Sequence, residues 1–218
     1  MSSSQGTLSG AAAAAVGLAT FGAVALDVGW QIIRHGTVMA HEGAHAVFGS
    51  LFSRDVSGIE LNSDATGGTM MNSGGCLGSL VIGFVGYVGP SLFGLGAAWL
   101  VHLGQSVTVL WLTLFLLAVL LVVLNRSYGI ITVLVAGGLV FAIGRYASTG
   151  VQVVAAYAIT WLLLLSGVRR VLEVGSGSDD GAKLTKLTHL PRLLWFLLWL
   201  AATVGAVAVG GEMLVMPA

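Results

Sequence analysis

The run Thr108-Val109-Leu110-Trp111-Leu112-Thr113-Leu114-Phe115-Leu116-Leu117-Ala118-Val119-Leu120-Leu121-Val122-Val123-Leu124 contains two hydroxyls and otherwise only apolar side chains. A helix made from it has no polar face to turn toward water, so lipid or other apolar helices must surround it. It lies within an uncharged tract from Ala65 through Asn125, and three more follow: Ser127 through Gly144, Tyr146 through Val168, and Leu193 through Gly211. Each is long enough to cross a hydrocarbon layer of about 30 Å. The whole chain agrees: of 218 residues, 56% are hydrophobic and 8% charged, and the mean hydropathy is +0.96, far from the balance of a water-soluble domain.

Apolar runs and their punctuation predict an all-α integral membrane protein with about six to seven transmembrane helices. The segments fall near Leu8 to Leu26, Trp30 to Phe52, Leu77 to His102, Thr108 to Leu124, Tyr128 to Tyr146, Val151 to Val171 and Leu193 to Val209. Between the first two, Asp27, Gly29 and Arg34 fit either a true loop or a break within a helical hairpin. Glycines inside the apolar runs fit close helix packing in lipid. Trp99, Trp111, Trp161, Trp195 and Trp199 read as interfacial anchors or lipid-facing bulk.

Two segments are polar. From Ser53 to Met71, short runs near Ile59 and Thr69 to Met71 are separated by turn residues, which predicts a small β-hairpin after the second helix. From Glu173 to Arg192, Gly175-Ser176-Gly177-Ser178-Asp179-Asp180-Gly181 reads as a loop leading into the last span. One domain is expected over 1–218, with a core at about 30–210 and an extra N-terminal helix at about 8–27. Met1 to Gly10 carries no Lys or Arg, unlike the basic start of a signal peptide, so the first apolar stretch is expected to stay in the mature protein.

Nine basic and nine acidic residues cancel, which leaves no basic surface for nucleic acid. The lone cysteine, Cys76, has no internal partner and reads as a small apolar residue near a helix start. If the second helix ends in the cytoplasm, Arg54, Arg126, Arg169, Arg170, Lys183, Lys186 and Arg192 all lie on that side, with Arg34 and Arg145 opposite. The excess of cations on cytoplasmic loops selects this orientation.

Chemistry is concentrated at His41-Glu42-Gly43-Ala44-His45, an HExxH pattern between apolar neighbours such as Val38, Met39, Val47 and Phe48. On a helix, residues four apart share a face, so both imidazoles can reach one Zn²⁺. Glu42 projects about 100° away, near enough to take a proton from water activated by the metal and pass it to a leaving amine. A catalytic zinc takes three protein ligands, so a third is needed. The metzincin continuation fails at Phe48 and Leu51. Glu60 and Asp64 sit in the hairpin, Asp179 and Asp180 lie on the membrane face where the second helix ends, and His35, His102 and His189 stand at helix edges. Pro90 and its neighbouring glycines either kink a helix or break it where backbone lines a cavity.

His41 to His45, the stretch Gly86-Tyr87-Val88-Gly89-Pro90, and Ser178-Asp179-Asp180-Gly181-Ala182-Lys183-Leu184 with Thr188 and Pro191 together resemble the site-2 protease family, most closely its compact bacterial branch. The similarity runs from about Trp30 to Trp199. It implies a zinc metalloendopeptidase, with one Zn²⁺ per chain, that cuts transmembrane protein substrates within the bilayer of a bacterial plasma membrane, and the cation distribution puts its active site on the cytoplasmic side. It also implies that the third ligand is an aspartate before the last core helix, with Asp180 the better match and Asp179 the fallback, and that Gly86, Tyr87 and Pro90 serve substrate handling or site packing. Phe93 replaces the asparagine of the wider family's Gly-Pro-x-x-Asn pattern, and its Asn-Pro-x-x-x-x-Asp-Gly pattern is reduced here to Asp180-Gly181. The rival class is a non-proteolytic membrane protein, either a metal-handling transporter or an inactive relative that binds other proteins. A transporter spreads ionisable groups over several helices near the midplane, whereas here they gather at one motif and one loop.

Overall fold

A computed structural model describes residues 6–216, so Met1 to Gln5 of the polar N-terminal stretch lie outside the described residues. In chain order the elements are α1 (Gly10–Ala25), α2 (Asp27–Leu51), β1 (Val56–Leu61), β2 (Gly67–Met71), α3 (Cys76–His102), α4 (Ser106–Val123), α5 (Ser127–Tyr146), α6 (Thr149–Val174), α7 (Asp179–Thr188) and α8 (Arg192–Val215). Helices α3, α4, α5, α6 and α8 are each long and apolar enough to span a bilayer, and α1 with α2 adds a sixth if that bent pair is one span. The chain is thus an all-α membrane protein with a small hairpin after the HExxH helix.

The open question at Asp27 resolves as a break. Leu26 is extended, and α2 leaves α1 at 97°. Gly29 lies inside the bend, where a Cβ would collide with the Ala23 carbonyl. Asp27 pairs with Arg169 at 2.9 Å, and Trp30 Nε1 donates to Glu173 Oε1 at 3.1 Å, so α2 begins beside the C-terminal end of α6. The expectation that Arg34 faces the opposite side is therefore corrected. It stands one turn past Trp30, within electrostatic reach of Glu173 and Asp64. Among the described residues, Arg145 is then the cation left at the other end of the bundle.

Helix α3 is the axis of the bundle and packs most extensively on α6, α8 and α2. Small residues allow this, because apolar helices in lipid gain from close backbone approach. Gly94 faces Leu164, Gly167 faces Ser91, and Ser91 Oγ donates to the Leu164 carbonyl at 3.2 Å. The helix continues through Pro90 without a break. Helices α4 and α5 pack mainly on each other, and Phe115, Val122, Ile131 and Leu139 on their outer faces are exposed, as lipid-facing side chains would be.

The tryptophan expectation is corrected for three of five. Trp161, Trp195 and Trp199 are buried inside the bundle, while Trp99 and Trp111 are exposed. The loop expected between Glu173 and Arg192 contains α7. Ser178 caps it by accepting from the Gly181 amide at 2.9 Å, Asp179 and Asp180 sit in the first turn where the helix dipole favours acids, and Leu184 is buried beneath it. His189, in the left-handed region at φ 62°, ends it. Polar composition hid a helix with one apolar stripe.

In the hairpin, β1 and β2 pair antiparallel in the register Ile59 with Thr69 and Leu61 with Gly67, with an irregularity between Val56 and Gly58. The outer edge of β1 is occupied, since the Asn125 amide donates to the Ile59 carbonyl at 3.0 Å and Arg126 pairs with Glu60 at 2.8 Å. Ile59 and Leu61 pack with Val38, Met39 and Leu124, which fixes the hairpin over α2.

At the α2–α3 crossing a Cβ on Gly89 would collide with the Ala44 Cβ. Gly89→Ala should therefore destabilise the folded chain by about 1–3 kcal/mol, measured as a lower thermal midpoint in detergent, and Ala44→Gly in the same chain should restore part of the loss.

Candidate metal centre

The α2–α3 seam places the HExxH side chains. His41, Glu42 and His45 are all buried, although two are separated by one helical turn and the third points elsewhere. His45 is oriented from behind, its Nδ1 lying 2.9 Å from the Ile82 carbonyl of α3, which leaves Nε2 to face inward. The His41 ring meets the Tyr87 ring edge-on, with centroids 4.7 Å apart, and Tyr87 packs in turn on Trp199 of α8 at 4.6 Å. Trp199 is 1% exposed and fixed by a 2.9 Å bond from Nε1 to the Phe84 carbonyl.

Both imidazoles meet Asp180 from the first turn of α7. His41 Nε2 and His45 Nε2 are 3.0 Å apart, and Asp180 Oδ2 lies 3.3 Å from the first and 3.2 Å from the second. Ligands about 2.0–2.1 Å from a tetrahedral zinc are separated by about 3.3 Å, so these three atoms already describe one face of such a tetrahedron. Two imidazole nitrogens this close, both also touching a carboxylate oxygen, cannot all be satisfied by protons on the rings. A shared cation fits the donor set. The cluster is the one group of three or more potential ligand side chains among the described residues.

Asp180 is 7% exposed. Burial by itself would raise its carboxyl pKa, but hydrogen bonds from His41 and His45 and their charge outweigh it and hold the group far below the usual carboxylate range. Its second oxygen takes a 3.2 Å contact from the exposed Lys183 ammonium.

Glu42 stays out of the triangle. Its Oε2 accepts from Thr69 Oγ1 of β2 at 2.7 Å, and the same hydroxyl lies 3.2 Å from the Glu42 carbonyl. Gly67 leaves it room: a Cβ there would come within 2.8 Å of Oε1. Gly86 does the same for the imidazoles, since a Cβ would come within 2.5 Å of His45 Nε2 and 2.8 Å of His41 Cε1. Side-chain-free positions on β2 and α3 thus shape the centre.

The remaining candidates lie outside the triad, although Asp179 lines the cavity beside it. Asp179 is exposed and outside the cluster, Glu60 is paired with Arg126, and Asp64 binds Thr66 at the hairpin tip, where its hydrogen bonds with Thr66 lower its pKa. His35 is 3.3 Å from the Tyr128 hydroxyl, His102 reaches the Met213 carbonyl, and His189 ends α7. Sequence reasoning missed Thr69 and the Ile82 carbonyl, and it mistook Trp199. A period of two from Gly67 to Thr69 would have placed both on one face of β2, and Trp195 and Trp199, four apart, on one face of α8.

The triad, Glu42 and Tyr87 line a cavity of about 670 Å³, within the range of small-molecule and peptide side-chain sites. Its other walls include Gly67, Gly68, Thr69 and Met71 of β2 and the start of α7. The outer edge of β2 carries no third strand among the described residues.

No curated protein and no solved structure matches the chain. The family described as Peptidase M50B-like matches it over residues 12–210, nearly its full length and including both helices that meet at the triad. The chain belongs to that family, which is the site-2 protease family of membrane peptidases.

Proposed function

We propose that this chain is an intramembrane zinc metalloendopeptidase that hydrolyses peptide bonds within or near transmembrane segments of other membrane proteins. The observation that carries the reading is the 3.0–3.3 Å triangle of His41 Nε2, His45 Nε2 and Asp180 Oδ2, with Glu42 beside it and not in it. His41, His45 and Asp180 would hold one Zn²⁺, leaving a fourth position open toward the cavity. When bound, zinc supplies Lewis acidity toward water and toward a peptide carbonyl.

Glu42 is the general base and then the general acid. Thr69 donates to Oε2 and leaves Oε1 free to take a proton and deliver it to the departing amine, and burial at 4% exposed keeps bulk water from competing. A helical substrate shields its own peptide groups, so the scissile stretch must become extended. The unpaired outer edge of β2 offers main-chain donors and acceptors for that stretch along the cavity wall. Tyr87, with Trp199 behind it, braces His41 and keeps the metal-facing nitrogen aligned. The end of the bundle that collects Arg34, Arg54, Arg126, Arg169, Arg170, Lys183, Lys186 and Arg192 is assigned to the cytoplasm of a bacterial plasma membrane, and the centre opens toward that side.

Glu42→Gln should abolish cleavage of a co-expressed model transmembrane substrate while bound zinc stays near one per chain. Undiminished cutting would remove Glu42 from the chemistry. Zinc content should separate the two aspartates: wild type and Asp179→Ala should purify with about one zinc, while His45→Ala and Asp180→Ala lose most of it, as expected when one of three protein ligands is deleted. Retention by Asp180→Ala with loss in Asp179→Ala would reverse the ligand assignment. Wild-type protein that cleaves no membrane substrate but carries zinc across proteoliposomes would replace the peptidase reading with transport.

A further inference from the structure

Three cations line the cavity, and two of them are answered by carboxylates. Arg170 lies 2.8 Å from Glu173 and Lys183 lies 3.2 Å from Asp180. Arg54 is buried, at 8% exposed, yet no carboxylate of the described residues lies within ion-pair distance of it. Its partners are neutral. Nη1 donates to the Asn72 carbonyl at 3.3 Å, and Nη2 donates to the Gly75 carbonyl at 3.0 Å and to Ser79 Oγ at 2.9 Å. Asp55, its neighbour in sequence, is occupied by Asn72 instead, at 2.9 Å.

A guanidinium has five N–H groups and stays protonated at any working pH, so three neutral bonds leave the charge without a counter-ion among the described residues, and the donors not used in those bonds are not sealed away from the cavity. Buried charge is costly unless it is paired. The side chain is nonetheless held firmly. Gly74 gives it a slot in which any Cβ would collide with Nη1, and a Cβ on Gly78 would come within 3.3 Å of Nη2. Joining two carbonyls and a hydroxyl requires donors but no net charge. A fixed, uncompensated cation in the wall of the cavity that also holds Glu42 is arranged for an anion that arrives with the ligand.

We propose that Arg54 is a carboxylate-binding site, and that the chain favours membrane-protein segments that bring a carboxylate into the cavity along with the extended stretch. The carboxylate is supplied by an acidic side chain or by a free C-terminus. The consequence for cleavage rests on the peptidase reading, whereas the binding preference stands without it.

The test uses full-length Glu42→Gln protein in detergent, so that binding is read without turnover, and a fluorescent 20-residue Leu/Ala peptide followed by a short Gly/Ser segment. One series carries a single Glu scanned through that segment against Gln at the same place. A second series compares a C-terminal acid with the amide at several lengths. At one or more positions the carboxylate form should bind about tenfold tighter than its neutral twin, the size expected for a charge-assisted hydrogen bond. Arg54→Gln should erase that difference, and Arg54→Lys should keep part of it. A preference in the first series alone assigns an acidic side chain, and one in the second alone assigns a free terminus. Equal binding of charged and neutral peptides throughout both series would overturn the proposal even if the Arg54 variants fail to fold, and so would a preference that persists in Arg54→Gln. If the preference holds while protein with Glu42 intact cleaves none of the bound peptides, the carboxylate site stands and the peptidase reading fails.

Discussion

Two imidazole nitrogens and a carboxylate oxygen lie within 3.3 Å of one another in the interior of a membrane protein. Groups of this kind are expensive to remove from water, and the contacts of both rings with an aspartate 135 residues away offset part of that cost. A divalent cation held there would offset it further, because it would exchange three poorly satisfied polar atoms for strong bonds. Much of the bundle around the triad follows from holding it. The Ile82 carbonyl turns His45, Tyr87 and Trp199 brace His41, Gly86 keeps α3 from blocking both rings, and the Ser178 cap starts α7 where its first turn reaches the imidazoles.

The hairpin performs the complementary task for Glu42. By pairing β1 with the α4–α5 connection and turning β2 toward α2, the fold delivers the Thr69 hydroxyl to one carboxylate oxygen and leaves the other facing the cavity. The same arrangement leaves the β2 edge unpaired on the cavity wall, and an unpaired edge is ordinarily a liability in a folded protein. Arg54, at the root of the hairpin, binds the Asn72 and Gly75 carbonyls and ties β2 to the start of α3. Its charge and the His41, His45 and Asp180 triad therefore belong to one continuous surface.

Much of this was legible in the sequence because membranes impose strict rules. Uncharged runs such as Thr108 to Leu124 admit little except a spanning helix, and HExxH spacing on a helix dictates a shared face. What escaped was set by tertiary contact. Helix α7 was obscured because its stability comes from the Ser178 cap and from burying Leu184, not from a long apolar run. Trp199 looked like a membrane anchor because composition cannot tell a ring facing lipid from one facing another helix. The position of Arg34 was misjudged because a 97° bend at Leu26 brings α2 back to the end where it was expected to finish. Asp180 was preferred over Asp179 on family resemblance, and in the structure Asp180 faces the histidines while Asp179 is exposed.

The most direct test of the central claim is zinc-edge X-ray absorption on the purified full-length chain. The account predicts a shell of about four nitrogen and oxygen atoms near 2.0 Å, with the multiple-scattering signature of two imidazoles and no sulfur. It also predicts that one imidazole disappears from that signature in whatever metal His45→Ala retains. A sulfur-containing shell, a shell without imidazole, or an active preparation with no bound metal would contradict it.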